Sequence, residues 1–231
     1  MIIVSLHLPK TAGTSFGNAL RTHFIGRYKD DYHDTGLSKP TWQRRRAALR
    51  LGHVIARFGL GDIECVHGHF LPVKYLALKK RRGSIFVTWL RDPIERLLSH
   101  YNYWQRTYDK STSAFYHRKI VEENWTLEEF CLSEVFQNIY AQYLWGFTLE
   151  DFDFIGISEF LEDDVRDFSS SYLSSGLQLD PRNASLSRNL SAQLDRGFLR
   201  EVQNFHAIDI ALYERALKMR LMRRISTLGL Q

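Results

Sequence analysis

The sequence predicts an α/β fold, a mostly parallel central sheet with helices on both faces. Three observations carry that expectation. Apolar, strand-length runs recur at 2–8, 63–66, 85–90 and 153–157. Each is followed by a loop and then by apolar residues at helical spacing. No internal repeat or shift in composition divides the 231 residues, so one domain spanning 1–231 is expected.

Residues 2–8, IIVSLHL, form a buried-type strand stopped by Pro9. The loop PKTAGTS follows, and Phe16, Leu20 and Phe24 give the next segment helical spacing. Residues 27–41, rich in Asp, Tyr and Gly, are expected as loop. Residues 42–58 set Trp42, Ala48, Leu49 and Ile55 around Arg44, Arg45 and Arg46, a basic amphipathic helix. A short strand over 63–66 leads into His67-Gly68-His69-Phe70, and 73–80 reads as helix around Leu76. The run 85–90, IFVTWL, is the second strong strand. Asp92 as cap and Pro93 in the first turn start a helix with Ile94, Leu97, Leu98 and Tyr101 on its apolar face. The aromatic segment 111–148 is expected to be helical, 153–157 a third buried-type strand and 159–172 a helix. Residues 174–191, Ser/Asn-rich with Pro181, are expected as loop, and two helices fill the remainder, ending in the basic run 218–224.

Composition narrows the partners. With 31 Lys+Arg against 26 Asp+Glu the net charge is +5, which favours an anionic ligand or surface without saying which. Fourteen Gly and five Pro exclude a collagen-like or low-complexity chain. Cys65 and Cys131 are too few for a disulfide framework or a metal quartet, so a reducing compartment is expected. The early apolar stretch falls short of the ~20 residues of a membrane span and lacks the flanks of a secretory signal. A cytoplasmic chain without a membrane span is therefore expected.

The first loop carries the chemistry. A parallel strand that turns tightly into a helix aims unpaired amides and the positive end of the helix dipole at one spot, an anion site. In Pro9-Lys10-Thr11-Ala12-Gly13-Thr14-Ser15, Gly13 admits a phosphate close to the backbone, Thr14 and Ser15 add hydroxyls, and Lys10 supplies a mobile charge. An ordinary strand–helix connection is the competing reading. The loop is not a nucleotide-triphosphate loop of the G-x-x-x-x-G-K-[ST] type, because Lys10 precedes the only glycine.

LHLPKTAGTSF resembles the 5′-phosphosulfate loop of sulfotransferases that use 3′-phosphoadenosine 5′-phosphosulfate (PAPS), and is most similar to the heparan sulfate 2-O- and 6-O-sulfotransferase branch. FVTWLRDPIERLLSHY resembles the family's second element, with Arg91 after a strand and Ser99 eight residues later. FIGISEFLEDDV is a weaker echo of its late strand and helix. The resemblance implies a P-loop-like sulfotransferase fold. It also implies PAPS as co-substrate, with 3′-phosphoadenosine 5′-phosphate as product, and no metal. Lys10, Thr11, Ala12, Gly13, Thr14 and Ser15 would hold the phosphosulfate, and Arg91 and Ser99 the 3′-phosphate. By itself, Arg91 at the carboxyl end of a strand can fork onto a phosphate, or can pair with Asp92 or Glu95.

His67 and His69 lie two residues apart on extended chain and point the same way. They read as a general base, a structural pair or, lacking further ligands at recognised spacing, least readily a metal site. The resemblance implies His69 as base, with His67 as its support or a second acceptor contact, while His7 reads as packing or hydrogen bonding. Lys10 would meet charge on the leaving oxygen. The acceptor is expected to be a hydroxyl of a glycan or small molecule. Arg44–Arg46 and the cluster 79–82 could touch an anionic glycan or be solvated faces, and Trp42, Trp89, Tyr103 and Trp104 could stack on sugars or fill the core. The missing anchor implies a bacterial relative, with no nucleic acid partner. Two alternatives remain: a P-loop-like small-molecule kinase, and a non-catalytic module binding nucleic acid or lipid through WQRRRAALR and KMRLMRR.

Overall fold

The computed structural model describes residues 1–32, 39–79, 83–179 and 190–227. Five strands, β1 (Ile2–Leu6), β2 (Tyr28–Asp30), β3 (Cys65–Gly68), β4 (Ser84–Leu90) and β5 (Phe154–Ile157), form one sheet in the order β2-β3-β1-β4-β5. Every pairing is parallel, so the expected mostly parallel sheet is wholly parallel among the described residues. Ser5 stands opposite His67 on β3 and Val87 on β4, and Leu90 stands opposite Ile157.

The side-chain period of two splits the sheet into two faces. On one, Ile3, Cys65, Val87, Trp89 and Phe154 pack under α1 (Gly13–His23) and α8 (Leu161–Tyr172), through Phe16, Leu20, Val165 and Phe168. On the other, Val4, Leu6, Val66, Phe86, Leu90 and Ile155 meet Ile55 of α2 (Thr41–Phe58), Leu78 of α3 (Leu76–Lys79) and Ala216 of α10 (Ala207–Thr227). Ile139, Tyr140 and Tyr143 of α7 (Ile139–Tyr143) complete that layer. Trp89, expected as a possible sugar platform, is 1% exposed in the first layer. Its ring fills the space a Cβ at Gly156 would need, 2.4 Å away.

A third cluster sits beyond the sheet. Ile94, Leu97 and Leu98 of α4 (Pro93–Thr107) pack with Ile120 of α5 (Phe115–Glu122), Phe130 of α6 (Leu127–Cys131), Phe136, and Val202 of α9 (Arg196–Phe205). The aromatic segment thus folds as short helices around α4. Asp92 caps α4 as expected, accepting from the amides of Ile94 and Glu95 at 2.9 Å each.

Two expectations change. The stretch 27–41 contains the edge strand β2, and the second strand begins and ends two residues later than 63–66, so His67 and Gly68 lie inside it. Both cysteines are buried free thiols. No helix among the described residues is long and apolar enough to cross a membrane.

Candidate active site

The C-terminal ends of β1 and β4 lie side by side, yet the chain leaving β1 runs to β2 at one edge and the chain leaving β4 runs to β5 at the other. Diverging connections open a crevice between the two strand ends, the usual ligand position in an open parallel sheet. Residues 7–12 follow one strand end and Arg91 the other.

Lys10 and Ala12 both take left-handed backbone, with φ of 65° and 62°. For residues other than glycine this costs about 1–3 kcal/mol each, so the surroundings must enforce it. Thr11, fully buried between them, does so by donating its hydroxyl to the Leu8 carbonyl at 2.9 Å. The turn delivers the chain into α1 at Gly13. Ala12, the cap residue, offers no side-chain acceptor, and the first turn holds no acidic residue. The N-cap residue therefore gives the opening amides of α1 no side-chain acceptor, and the helix dipole there favours an anion.

Gly13 also makes room for a histidine: a Cβ there would fall 1.9 Å from Cδ2 of His7. Gly17, one turn on, does the same for His67: a Cβ would meet its Nε2 at 2.4 Å.

The cations gather around the turn. Lys10 places Nζ 3.9 Å from the centre of the Tyr103 ring. Burial, then the charges of Arg91 and Arg106, bring its amine down to about 8. Arg91 is 9% exposed, and the hydroxyl of Tyr140 donates to its carbonyl at 2.7 Å. Arg91 does not pair with Asp92 or Glu95. Asp92 caps α4, and Glu95 accepts from the amides of Leu190 and Ser191 at 3.0 and 2.9 Å. Among the described residues no carboxylate stands at salt-bridge distance from Lys10, Arg91 or Arg106. Ser99 is half-buried on α4, two turns beyond Arg91. Thr14 is exposed, and Ser15 is buried.

Three histidines form a stack at the loop. His7 lies 5.1 Å from His67 and 4.3 Å from His69, ring centre to ring centre. Burial, then the neighbouring His69, His67 and Lys10 charges, hold His7 well below the ordinary imidazole range. His67 is 1% exposed, shares a 2.8 Å hydrogen bond between Nδ1 and Ser5 Oγ, and is pushed down to about 3, mainly by burial. Its Nε2 has no partner of hydrogen-bonding geometry, although the Gly13 carbonyl lies near enough to favour the protonated ring slightly. At 1% exposure, His67 offers almost no surface to a bound molecule. His69 is half-buried and lies closer to the surface than His67. Its Nδ1 donates to the His7 carbonyl, which can only accept. The proton is thereby fixed on Nδ1 and the basic lone pair on Nε2, while burial keeps the ring below its ordinary range and neutral at pH 7.

Tyr32 closes this group. Its ring stands 5.0 Å from that of His69, edge to face, and its hydroxyl is 3.4 Å from His7 Nδ1. Neighbouring Asp31 is locked in the interior by Lys74 Nζ and the Tyr75 hydroxyl, each 2.6 Å from Oδ2. Sequence reasoning missed Tyr32; His7, expected as packing or hydrogen bonding, does both. The one sequence sign of the stack was G-x-x-x-G at 13–17, two small residues a helical turn apart.

Other expected contacts lie elsewhere. Arg44 is buried at 6% exposure, Arg45 sits over Trp145, and Lys79 pairs with Asp151 at 2.9 Å. Trp104 stacks on His117. In the basic run 218–224, Arg220 and Arg223 pair with Asp164, and Arg224 pairs with Asp163. Residues 80–82 of the basic cluster, and 180–189 of the Ser/Asn-rich loop, lie outside the described residues. Among those described, no group of three or more His, Cys, Asp or Glu could hold a metal.

No family model matches the chain, and no curated protein matches it. Among solved structures it is similar to the crystal structure of a sulfotransferase from Alicyclobacillus acidocaldarius, at 17% identity and a TM-score of 0.47, over 93% of this chain and 95% of that one.

Proposed function

We propose that the protein is a sulfotransferase that moves a sulfuryl group from PAPS to a hydroxyl of a carbohydrate or similar small acceptor. One observation carries the reading. A helix start whose N-cap residue offers no side-chain acceptor, cations with no carboxylate at salt-bridge distance among the described residues and an imidazole of fixed tautomer meet at the crevice between β1 and β4.

The donor set fits a nucleotide with anionic groups at both ends. Burial first, and then repulsion from Arg91 and Arg106, bring Lys10 below its ordinary range, and a bound polyanion offsets that repulsion. The loop from Thr11 through Ser15, with Lys10, is assigned to the phosphosulfate end; Arg91 and Ser99 are assigned to the 3′-phosphate. Bound there, the nucleotide supplies a sulfuryl group already activated on a phosphate oxygen. His69 accepts the proton of the attacking hydroxyl at Nε2, a role typically worth about 10²–10⁴ in rate. Lys10 sets its ammonium against the negative charge that grows on the leaving oxygen. His67 and His7 position His69 from beneath, and the chemistry asks for no metal.

A thermal-shift series tests the donor. 3′-Phosphoadenosine 5′-phosphate should raise the melting temperature and ATP–Mg²⁺ should not, since a ligand that binds only the folded state stabilises it by mass action. Transfer of labelled sulfate from PAPS across a panel of glycans and small alcohols then identifies the acceptor. No stabilisation by the bisphosphate nucleotide, or stabilisation by ATP–Mg²⁺ alone, removes the proposal.

A further inference from the structure

The chain's positive surplus is concentrated in one element. Helix α2 holds five of the 31 basic residues, Arg44, Arg45, Arg46, Arg50 and Arg57, and none of the 26 acidic ones. Without that helix the chain would balance at 26 basic and 26 acidic residues. Arg44 turns inward and Arg45 covers Trp145, but Arg46, Arg50 and Arg57 are exposed. Among the described residues, none of these three has a carboxylate at salt-bridge distance.

Helical spacing makes a ridge of the three. The buried line of α2 runs through Arg44, Ala48 and Ile55; Arg46, Arg50 and Arg57 project from the opposite side. Large apolar residues flank this ridge. Trp42 is 61% exposed with Leu49 on one flank, and Phe58 is 73% exposed with Leu51 and Val54 on the other. A nucleic acid or a sulfated glycan would engage the ridge and leave Phe58 and Val54 in water. A bilayer takes both, with guanidinium groups at the phosphates and the flanking rings and aliphatic chains at the acyl boundary.

We propose that α2 docks the protein peripherally on an anionic lipid surface. The buried side of the same helix adjoins the site: Arg44 reaches Gln142 at 3.5 Å, and the next residue, Tyr143, has its ring 6.1 Å from that of His69. The inference stands on the helix alone and survives whatever reaction the crevice performs.

Co-sedimentation of the full chain with vesicles tests it, using phosphatidylcholine alone and phosphatidylcholine mixed with phosphatidylserine. The chain should pellet only with the mixed vesicles, and less so at high salt. The triple variant R46E/R50E/R57E should lose on the order of a hundredfold in affinity, at about fivefold or more per arginine. The double variant L51S/F58S, with every charge intact, should lose about tenfold. In the unsubstituted chain, brominated lipid should quench tryptophan fluorescence, and W42F should abolish most of that quenching; this arm needs no variant that might unfold. Equal sedimentation with both vesicle types, or none with either, overturns the proposal. So does undiminished vesicle binding by L51S/F58S accompanied by tighter binding to heparin or duplex DNA.

Discussion

Two basic clusters in this protein have opposite surroundings. At the C-terminal strand ends, Lys10, Arg91 and Arg106 face one another with no carboxylate at salt-bridge distance among the described residues. On α10, Arg220, Arg223 and Arg224 answer the acidic first turn of α8, with Arg220 Nε 2.8 Å and Arg223 Nη2 3.2 Å from Asp164. Residue type is the same and the counter-charge is not. Where the fold neutralises its own arginines they join helix to helix; where it withholds the carboxylate, the proposed nucleotide would complete the set. The run KMRLMRR is therefore a structural seam, and PKTAGTS is the proposed receptor.

The widest separation between the clusters should come from His69. H69N should lower turnover by about 10²–10⁴. Its melting curve and nucleotide affinity should stay near those of the parent, because the ring is only half-buried. K10A should lower turnover by about 10²–10³ and weaken nucleotide binding without loss of stability. A variant that melts early would move Lys10 into the structural class and break the contrast.

D164A probes the other side. Asp164 is fully buried and also accepts from the Ile157 amide at 2.8 Å, so its removal strands two arginines and an amide. Loss of about 3–5 kcal/mol in chemical denaturation is expected, with nucleotide binding by the remaining folded fraction unchanged. Titration separates the clusters without mutation. Lys10 sits at about 8, and a bound anion favours its charged form. Affinity for the nucleotide should hold below that pH and fall about tenfold per unit above it. Turnover should also fall at acid pH, as His69 Nε2 gains a proton and can no longer accept one. Calorimetry across pH 7–9 should show this loss of affinity while the melting temperature of the free protein holds or rises slightly above pH 8, because the folded chain then carries fewer protons at Lys10 than the unfolded one. The smallest effect is reserved for R224A: its pair with Asp163 is exposed, 36% and 44%, and should contribute at most about 1 kcal/mol.

Much of this arrangement was legible in the amino acids. Ile2-Ile3-Val4 and Ile85-Phe86-Val87 announce buried strands, and Asp92-Pro93 announces a capped helix, because each signal is local. Edge strand β2 was not legible. Tyr28-Lys29-Asp30 has no apolar alternation, and its pairing is settled by β3 rather than by its own residues. The end of β3 was read short because Gly68 and the histidines lack strand propensity. That glycine is fixed by tertiary contact instead: a Cβ on it would fall 1.9 Å from the Asp31 carbonyl oxygen. The histidine stack was hidden for a related reason. Ser5 and His67 become partners only once β1 and β3 pair in register, and no spacing along the chain announces that register.

The contact between α1 and the histidines has an evolutionary consequence. Gly13 is excluded from bearing a side chain by His7, and Gly17 by His67. Each glycine and its imidazole therefore form an inherited couple. A lineage that enlarged position 13 would need a smaller residue at position 7 in the same step, and with it would lose the imidazole that lies 4.3 Å from the His69 ring. In an alignment of descendants, positions 7 and 13, and positions 17 and 67, should drift together or stay still.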